Sequence, residues 1–270
     1  MSEPTNLWKS RAEALEKARR RLRAGHPEGL HDLRVALRRT SSTAAALGQR
    51  RLAQQSKDLV RSLSATRQLE VDRELLSRVA GLGLLSPQSA ARLEARWEGL
   101  ARKLGRRAGR VASSPDFERL ARAVARRRLA GTDRDLARLE RARRKVEAAL
   151  ALPAPDSGDR ALHRYRLRVK RARYLAEDLA ASGAPGFSRA VDREKALQEA
   201  LGRWNDVRMF RERLAQMRRE AESQGAVSLA SELARVAGAL EATEAAARQS
   251  AVRLVGGPAQ RFPRRASHTA

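Results

Sequence analysis

The sequence predicts an all-α protein built from two related helical units. Strong helix formers (alanine, leucine, arginine and glutamate) dominate long stretches of helical period, whereas β-branched residues are few. In addition, the order helix, motif helix, long helix, long helix occurs over residues 7–112 and again over 133–254. Because each helix carries leucine and alanine on one face, the simplest arrangement is two four-helix bundles related by a pseudo-twofold axis.

One residue pattern is written twice and defines the motif helix of each unit. His31 is followed by basic residues three, seven and eight positions later, and so is His163. These basic residues are Arg34, Arg38, Arg39, Arg166, Lys170 and Arg171. On a helix, the histidine and the first two basic residues share a strip about 60° wide, beside the apolar face. A strip at that edge lines a groove between packed helices, whereas the solvated side of a helix lies opposite its core.

Glycine and proline set the helix boundaries of the first unit. Gly25 follows the first helix, and Pro27 occupies the first position of the motif helix. Ser86 precedes Pro87, which is a cap followed by a first-turn proline. The expected helices of this unit are 7–23, 27–48, 50–80 and 87–112.

A short crossover helix and the second unit follow. Ser114 and Pro115 repeat the cap-and-proline signal and begin a helix that runs to about residue 129. The proline- and glycine-containing stretch 151–158 is the clearest break in the chain. The expected helices of the second unit are 132–150, 159–181, 187–222 and 226–254. We expect one domain over 5–254, with units at 5–112 and 133–254, a crossover at 114–130 and a disordered tail at 255–270.

The charge balance points to a polyanionic partner. The 57 lysine and arginine residues exceed the 31 aspartate and glutamate residues by 26, and the pI is near 11.7. Most of these cations are arginines, whose planar fork meets phosphate oxygens in paired hydrogen bonds. A GC-rich genome explains part of the arginine content but does not explain the repeated strip.

The sequence lacks the usual signatures of an enzyme or a membrane protein. There is no cysteine, which excludes disulfides and thiolate metal sites. We find no carboxylate cluster at metal-ligand spacing, no Walker glycine loop and no nucleophile constellation, so we predict a non-catalytic protein without a cofactor or metal. Histidine-catalysed phosphoryl transfer stays open. Without a long apolar run or a signal core, the protein is expected to be cytoplasmic.

A second stretch also recurs in both units. Residues 63–71 align with residues 201–207, each beginning with leucine. The carboxylates Glu70 and Asp206 follow in these stretches. They either orient the basic strip or form simple surface ion pairs, which stabilise little. The sequence does not separate these two interpretations.

Taken together, these motifs resemble the CHAD domain, the conserved-histidine α-helical domain. The two histidine-arginine helices look like its two repeats, and the second copy continues to Arg173 and Tyr174. The segment from Leu201 to Asp206 resembles the family's Leu-Gly-x-x-Asn/Arg-Asp segment, and Ser114-Pro115-x-Phe117 resembles its mid-domain turn. The likeness covers about residues 5–254.

The resemblance implies two four-helix bundles with a basic central groove or pore that binds inorganic polyphosphate, and residence on polyphosphate granules. Carried over position by position, the implied binding set is His31, Arg34, Arg38, Arg39, His163, Arg166, Lys170, Arg171 and Arg173. The first repeat departs from the family, because Ser41 and Gln68 replace a basic and an acidic residue. Both are therefore expected outside the site, and the second repeat is expected to dominate binding.

A polyphosphate chain suits this sequence. It offers about one negative charge per unit and no bases, so rows of cations one helical turn apart meet its needs. The alternative partner is nucleic acid, bound through charge in a basic structural protein; weak non-specific binding of this kind is expected in either case. Aromatic residues, which stack on bases in single-strand binders, make up only 3% of the chain.

The two histidines have two alternative roles. If they contact the anion, they gain a proton on binding, and affinity rises below about pH 6.5. If instead they bond neighbouring backbone or carboxylate groups, they only hold the helices together. The matched positions of His31 and His163 favour contact with the ligand.

Overall fold

The structure, a computed structural model, describes residues 7–81, 83–127, 133–150 and 158–256. Within these ranges all regular secondary structure is helical, which confirms the all-α prediction. Residues 151–157 and 257–270, which carry most of the expected linker and tail, lie outside the described ranges. The helices are α1 (Leu7–Arg23), α2 (Gly29–Ala46), α3 (Arg50–Ser62), α4 (Ser64–Gly81), α5 (Pro87–Ala112), α6 (Pro115–Ala125), α7 (Asp133–Ala148), α8 (Asp159–Ala181), α9 (Phe187–Ser223) and α10 (Val227–Gly256).

The expected single helix over 50–80 is wrong, because the chain breaks at Leu63 between α3 and α4. Leu63 is buried and ends α3. The break exposes carbonyl groups, and Arg34 donates from Nη1 to the oxygens of Leu63 (2.6 Å) and Ser64 (3.0 Å). A buried guanidinium thus satisfies acceptors that a continuous helix would satisfy itself. The corresponding helix of the second unit, α9, continues unbroken through Leu201.

The buried apolar side chains form two clusters, and each combines helices of both units. The first joins residues of α1, α2, α3 and α6 to residues of α7, α8 and the first half of α9, including the fully buried Phe117 and Trp204. The second joins α4 and α5 to the second half of α9 and the start of α10. In it, the rings of Trp97 and Phe210 lie 6.1 Å apart. The two units therefore share their cores.

Buried polar contacts fix the first unit against the second. Arg11 on α1 donates from Nε to Thr43 Oγ1 on α2 at 3.1 Å and forms an ion pair with Asp178 on α8. Thr43 donates in turn to Asp178 Oδ2 at 2.7 Å. Because all three side chains are buried and paired, they fix how α1 and α2 pack on α8.

Candidate anion-binding site

The two motif helices, α2 and α8, pack against each other, and α8 also packs along α9. Where they meet, Arg38 from α2 approaches Arg166 and Lys170 from α8, close enough for their charges to repel one another. All three side chains are half-buried. We call this group (Arg38, Arg166 and Lys170) the central cationic cluster. The cluster contains residues of both repeats, as expected if the two basic strips line a shared groove.

The cluster holds more positive charge than its surroundings neutralise. Burial, together with repulsion from Arg166 and Arg38, lowers the pKa of Lys170 to about 7. Burial also lowers the pKa of the Arg166 guanidinium, and Asp206 on α9 only partly opposes this. Within the described parts of the chain, none of the three cations forms an ion pair or hydrogen bond, and Arg166 Nε is buried without an acceptor. The cluster is therefore poised to accept an anion.

His163 lies on the same helix, one turn before Arg166. Its Nδ1 is 3.2 Å from Oδ1 of Asn205 on α9, and the ring is half-buried. Asn205 and Asp206 belong to the segment from Leu201 to Asp206, which resembles a motif of the CHAD domain. The structure thus places this segment beside the cluster, with Asp206 facing the cations.

Arg39 and Arg173 flank the cluster, but both already hold a carboxylate. Glu177 on α8 forms ion pairs with Arg39 (3.0 Å) and with Arg173. Arg173 is held further by Gln198, whose Oε1 accepts from its Nε at 3.1 Å, and by the Tyr174 ring 4.8 Å below its guanidinium. Sequence reasoning missed Glu177, although its spacing of four residues from Arg173 is the usual one for a helical ion pair.

Arg34 and Arg171, two arginines of the predicted set, lie apart from the cluster. Arg34 is only 5% exposed, and its hydrogen bonds to the α3–α4 break give it a structural role. Arg171 is exposed and has no ion pair or hydrogen bond among the described residues. Its repeat equivalent, Arg39, reaches Glu177, but the position equivalent to Glu177 on α2 is Ala45. The chain therefore gives Arg171 no matching carboxylate.

His31 faces a different depression. This hollow of about 260 Å³ lies between α1 and α2, and Lys17, Arg21 and Asp32 also line it. Ser41 is buried and donates to the carbonyl of Ala53 at 3.0 Å, so it lies outside the site. The side chains of Gln68 and Glu70 fall outside what the structure describes.

Another cavity of the protein is lined in part by carboxylates. A cavity of about 930 Å³ lies between the α1–α2 turn, α4 and α5, but Glu28, Glu74 and Glu94 line it and no predicted site residue does. Among the described residues, no group of three or more histidine, aspartate and glutamate side chains is placed to hold a metal ion. None of the described helices is long and apolar enough to span a membrane.

Comparison with known proteins agrees with this architecture. The sequence profile of the CHAD domain matches residues 7–215. The chain belongs to the CHAD domain family. The CHAD match includes both α2 and α8, and hence every residue of the predicted binding set. No curated protein sequence matches the chain.

Two CHAD-like structures show the fold. PptA from Streptomyces chartreusis is 19% identical, with 92% of this chain and 95% of that chain covered and a TM-score of 0.69. The CHAD domain from the plant Ricinus communis, a crystal structure, is 23% identical, with 92% and 88% covered and a TM-score of 0.63. At such identities the likeness establishes the fold alone. It extends the similarity of this CHAD domain well beyond the matched residues 7–215.

Proposed function

We propose that this CHAD domain binds inorganic polyphosphate, without catalysis, at the central cationic cluster. The observation that carries the proposal is the convergence of Arg38, Arg166 and Lys170, none of which forms an ion pair with a described residue. Half-buried cations that repel one another are unfavourable in the free protein, and a bound polyanion relieves this cost. Family membership supports the same partner.

The geometry suits a flexible anionic chain. Arg166 and Lys170 lie one helical turn apart on α8, and Arg38 faces them from α2, so the cluster can hold a chain from two sides. The overall charge of +26 adds long-range attraction. Among the described residues, one histidine and one carboxylate, His163 and Asp206, lie beside the central cationic cluster itself, whereas metal-dependent phosphoanhydride hydrolases need several carboxylates. Location in the cytoplasm and on polyphosphate granules stays a prediction.

Non-specific nucleic-acid binding is the second candidate. Exposed cations on α5, namely Lys103, Arg106, Arg107 and Arg110, favour it, because no carboxylate lies among residues 102–110. Such a surface provides phosphate contacts in any sequence context. It predicts binding to duplex DNA with a steep salt dependence and weak competition by polyphosphate.

A competition experiment separates the two candidates. Labelled long-chain polyphosphate is bound to the full chain at physiological salt and displaced with unlabelled polyphosphate, duplex DNA, single-stranded RNA or ATP. We expect polyphosphate to compete at least about tenfold better than the others per phosphate, since only it can follow the half-buried cluster. Equal competition by DNA contradicts the proposal and supports the nucleic-acid candidate.

Binding is also expected to weaken as the pH rises above 7. The free protein loses the Lys170 proton near pH 7, whereas a bound anion holds that proton, so binding above pH 7 requires proton uptake. Affinity should fall about tenfold between about pH 7 and 8.5. The stability of the unliganded protein depends on pH in the opposite direction. The unfolded chain keeps the Lys170 proton up to the ordinary pKa of 10.5, whereas the folded protein loses it near pH 7, so the free energy of unfolding rises over the same window.

Titration calorimetry across pH 6–9 checks this prediction. In Lys170→Arg the charge is permanent, and the decline above pH 7 should disappear while binding persists. A wild-type profile that is flat above pH 7 contradicts the prediction.

A further inference from the structure

One carboxylate neutralises two cations of the predicted binding set. Glu177 lies where the motif helices of the two units meet, and its side chain is only 18% exposed. It pairs with Arg39 from α2 at 3.0 Å and with Arg173 on its own helix. The adjacent Asp178 anchors α1 and α2 to the same helix, so Glu177 occupies a fixed place.

The basic residues at the site therefore fall into two groups. The cations of the central cationic cluster form no ion pair among the described residues, although Asp206 attracts them, whereas Arg39 and Arg173 are both ion-paired with Glu177. Both arginines are neighbours of the cluster: Arg173 is close enough to help lower the pKa of Lys170, and Arg39 directly follows Arg38 on α2. A short anion can fill the cluster alone. A longer chain reaches these two arginines and there competes with Glu177.

We propose that Glu177 is an internal competitor of the polyanion, which limits the affinity for longer chains and keeps their binding reversible. The inference rests on the proposed polyphosphate-binding function. The carboxylate is tethered beside both arginines, so its effective concentration there is high and the ligand must displace it or share its cations. Either way, the gain from each further phosphate is smaller than at the open cluster.

Glu177→Gln tests the inference because it removes the charge and preserves the shape of the side chain. Glu222→Gln is the matched control: Glu222 on α9 is exposed, its one ion pair among the described residues is with Arg218 one turn earlier, and its loss changes the net charge equally. Binding is measured with tripolyphosphate and with a chain of about ten units, over a range of salt concentrations. Glu177→Met, which also lacks the charge, serves as the second variant if the amide perturbs folding.

We expect Glu177→Gln to bind the longer chain about tenfold more tightly than Glu222→Gln, with tripolyphosphate changed less than about threefold. The slope of log affinity against log salt should steepen by about 0.7 or more, because a released arginine adds a phosphate contact. A merely structural role for Glu177 would not steepen this slope. Equal long-chain affinities and slopes in the two variants overturn the inference. A wild-type chain that binds neither ligand overturns the proposed function instead.

Discussion

Replacing Arg166 and Lys170 together by alanine is expected to weaken polyphosphate binding about 1000-fold. Each side chain is half-buried and forms no ion pair or hydrogen bond with a described residue, so each can devote its donors to phosphate oxygens. A hydrogen bond to a charged group contributes about 1.5–3 kcal/mol, and two of them give roughly 4 kcal/mol, or about three decades in affinity. The loss should be larger than that of any other pair of cations on α8.

Titration of labelled polyphosphate at physiological salt measures this effect. Arg160→Ala with Arg164→Ala is the matched control, because both residues are exposed on the same helix and the double change also removes two cationic side chains. The affinity of the control variant for polyphosphate should fall less than about fivefold, which is the loss expected from weaker long-range attraction alone. If the two double variants weaken binding equally, the cluster is not the binding site.

Glu194→Ala is expected to lower the free energy of unfolding by about 3–5 kcal/mol. Arg143 and Glu194 link α7 to α9, with side chains only 2% and 3% exposed. Arg143 Nη1 lies 2.8 Å from Glu194 Oε2, and Arg143 also donates to the carbonyl of Ala172. Although burial opposes it, hydrogen bonds and charge attraction from Glu194 and Glu147 raise the pKa of Arg143, so removal of Glu194 leaves a buried charge without its main partner.

Urea unfolding followed by circular dichroism gives the measurement. Glu199→Ala, on the exposed side of the same helix, should change the unfolding free energy by less than about 0.5 kcal/mol. Replacing the pair together, as Arg143→Met with Glu194→Leu, should recover most of the loss because neither charge is then buried alone. A loss below about 1 kcal/mol for Glu194→Ala contradicts this account.

The two units also correspond in this buried ion pair, but only the arginine occurs at equivalent positions in both; the carboxylate does not. Arg11 and Arg143 are separated by the same number of positions as His31 and His163. Glu194 lies seven residues before Leu201, and the residue seven before Leu63 is Ser56. Ser56 is buried and donates to the carbonyl of Leu52, so Arg11 finds its carboxylate on α8 instead. Both units therefore keep a buried arginine at this position, but its carboxylate partner differs: Asp178 for Arg11 and Glu194 for Arg143.

Local signals in the sequence located most helix boundaries. Ser86 accepts a hydrogen bond from Ser89 N, and Ser114 accepts one from Phe117 N, both at 3.2 Å, so the serine-proline caps work as their residue types predict. The break at Leu63 was not predictable in this way. Its carbonyls are satisfied by Arg34 from another helix, about thirty positions earlier, and no local pattern reports such a contact.

The sequence by itself determined the helical class, the internal repeat, the family and the two strips of cations. Composition, caps and periodicity act within a few residues, so they can be read from the chain. Only the tertiary structure decided which cations are half-buried and without an ion pair among the described residues. Arg34 donates to the helix break, Arg39 and Arg173 pair with Glu177, and Arg171 is exposed to solvent. The potential at a side chain sums over neighbours from helices far apart in sequence, and packing alone brings those neighbours together.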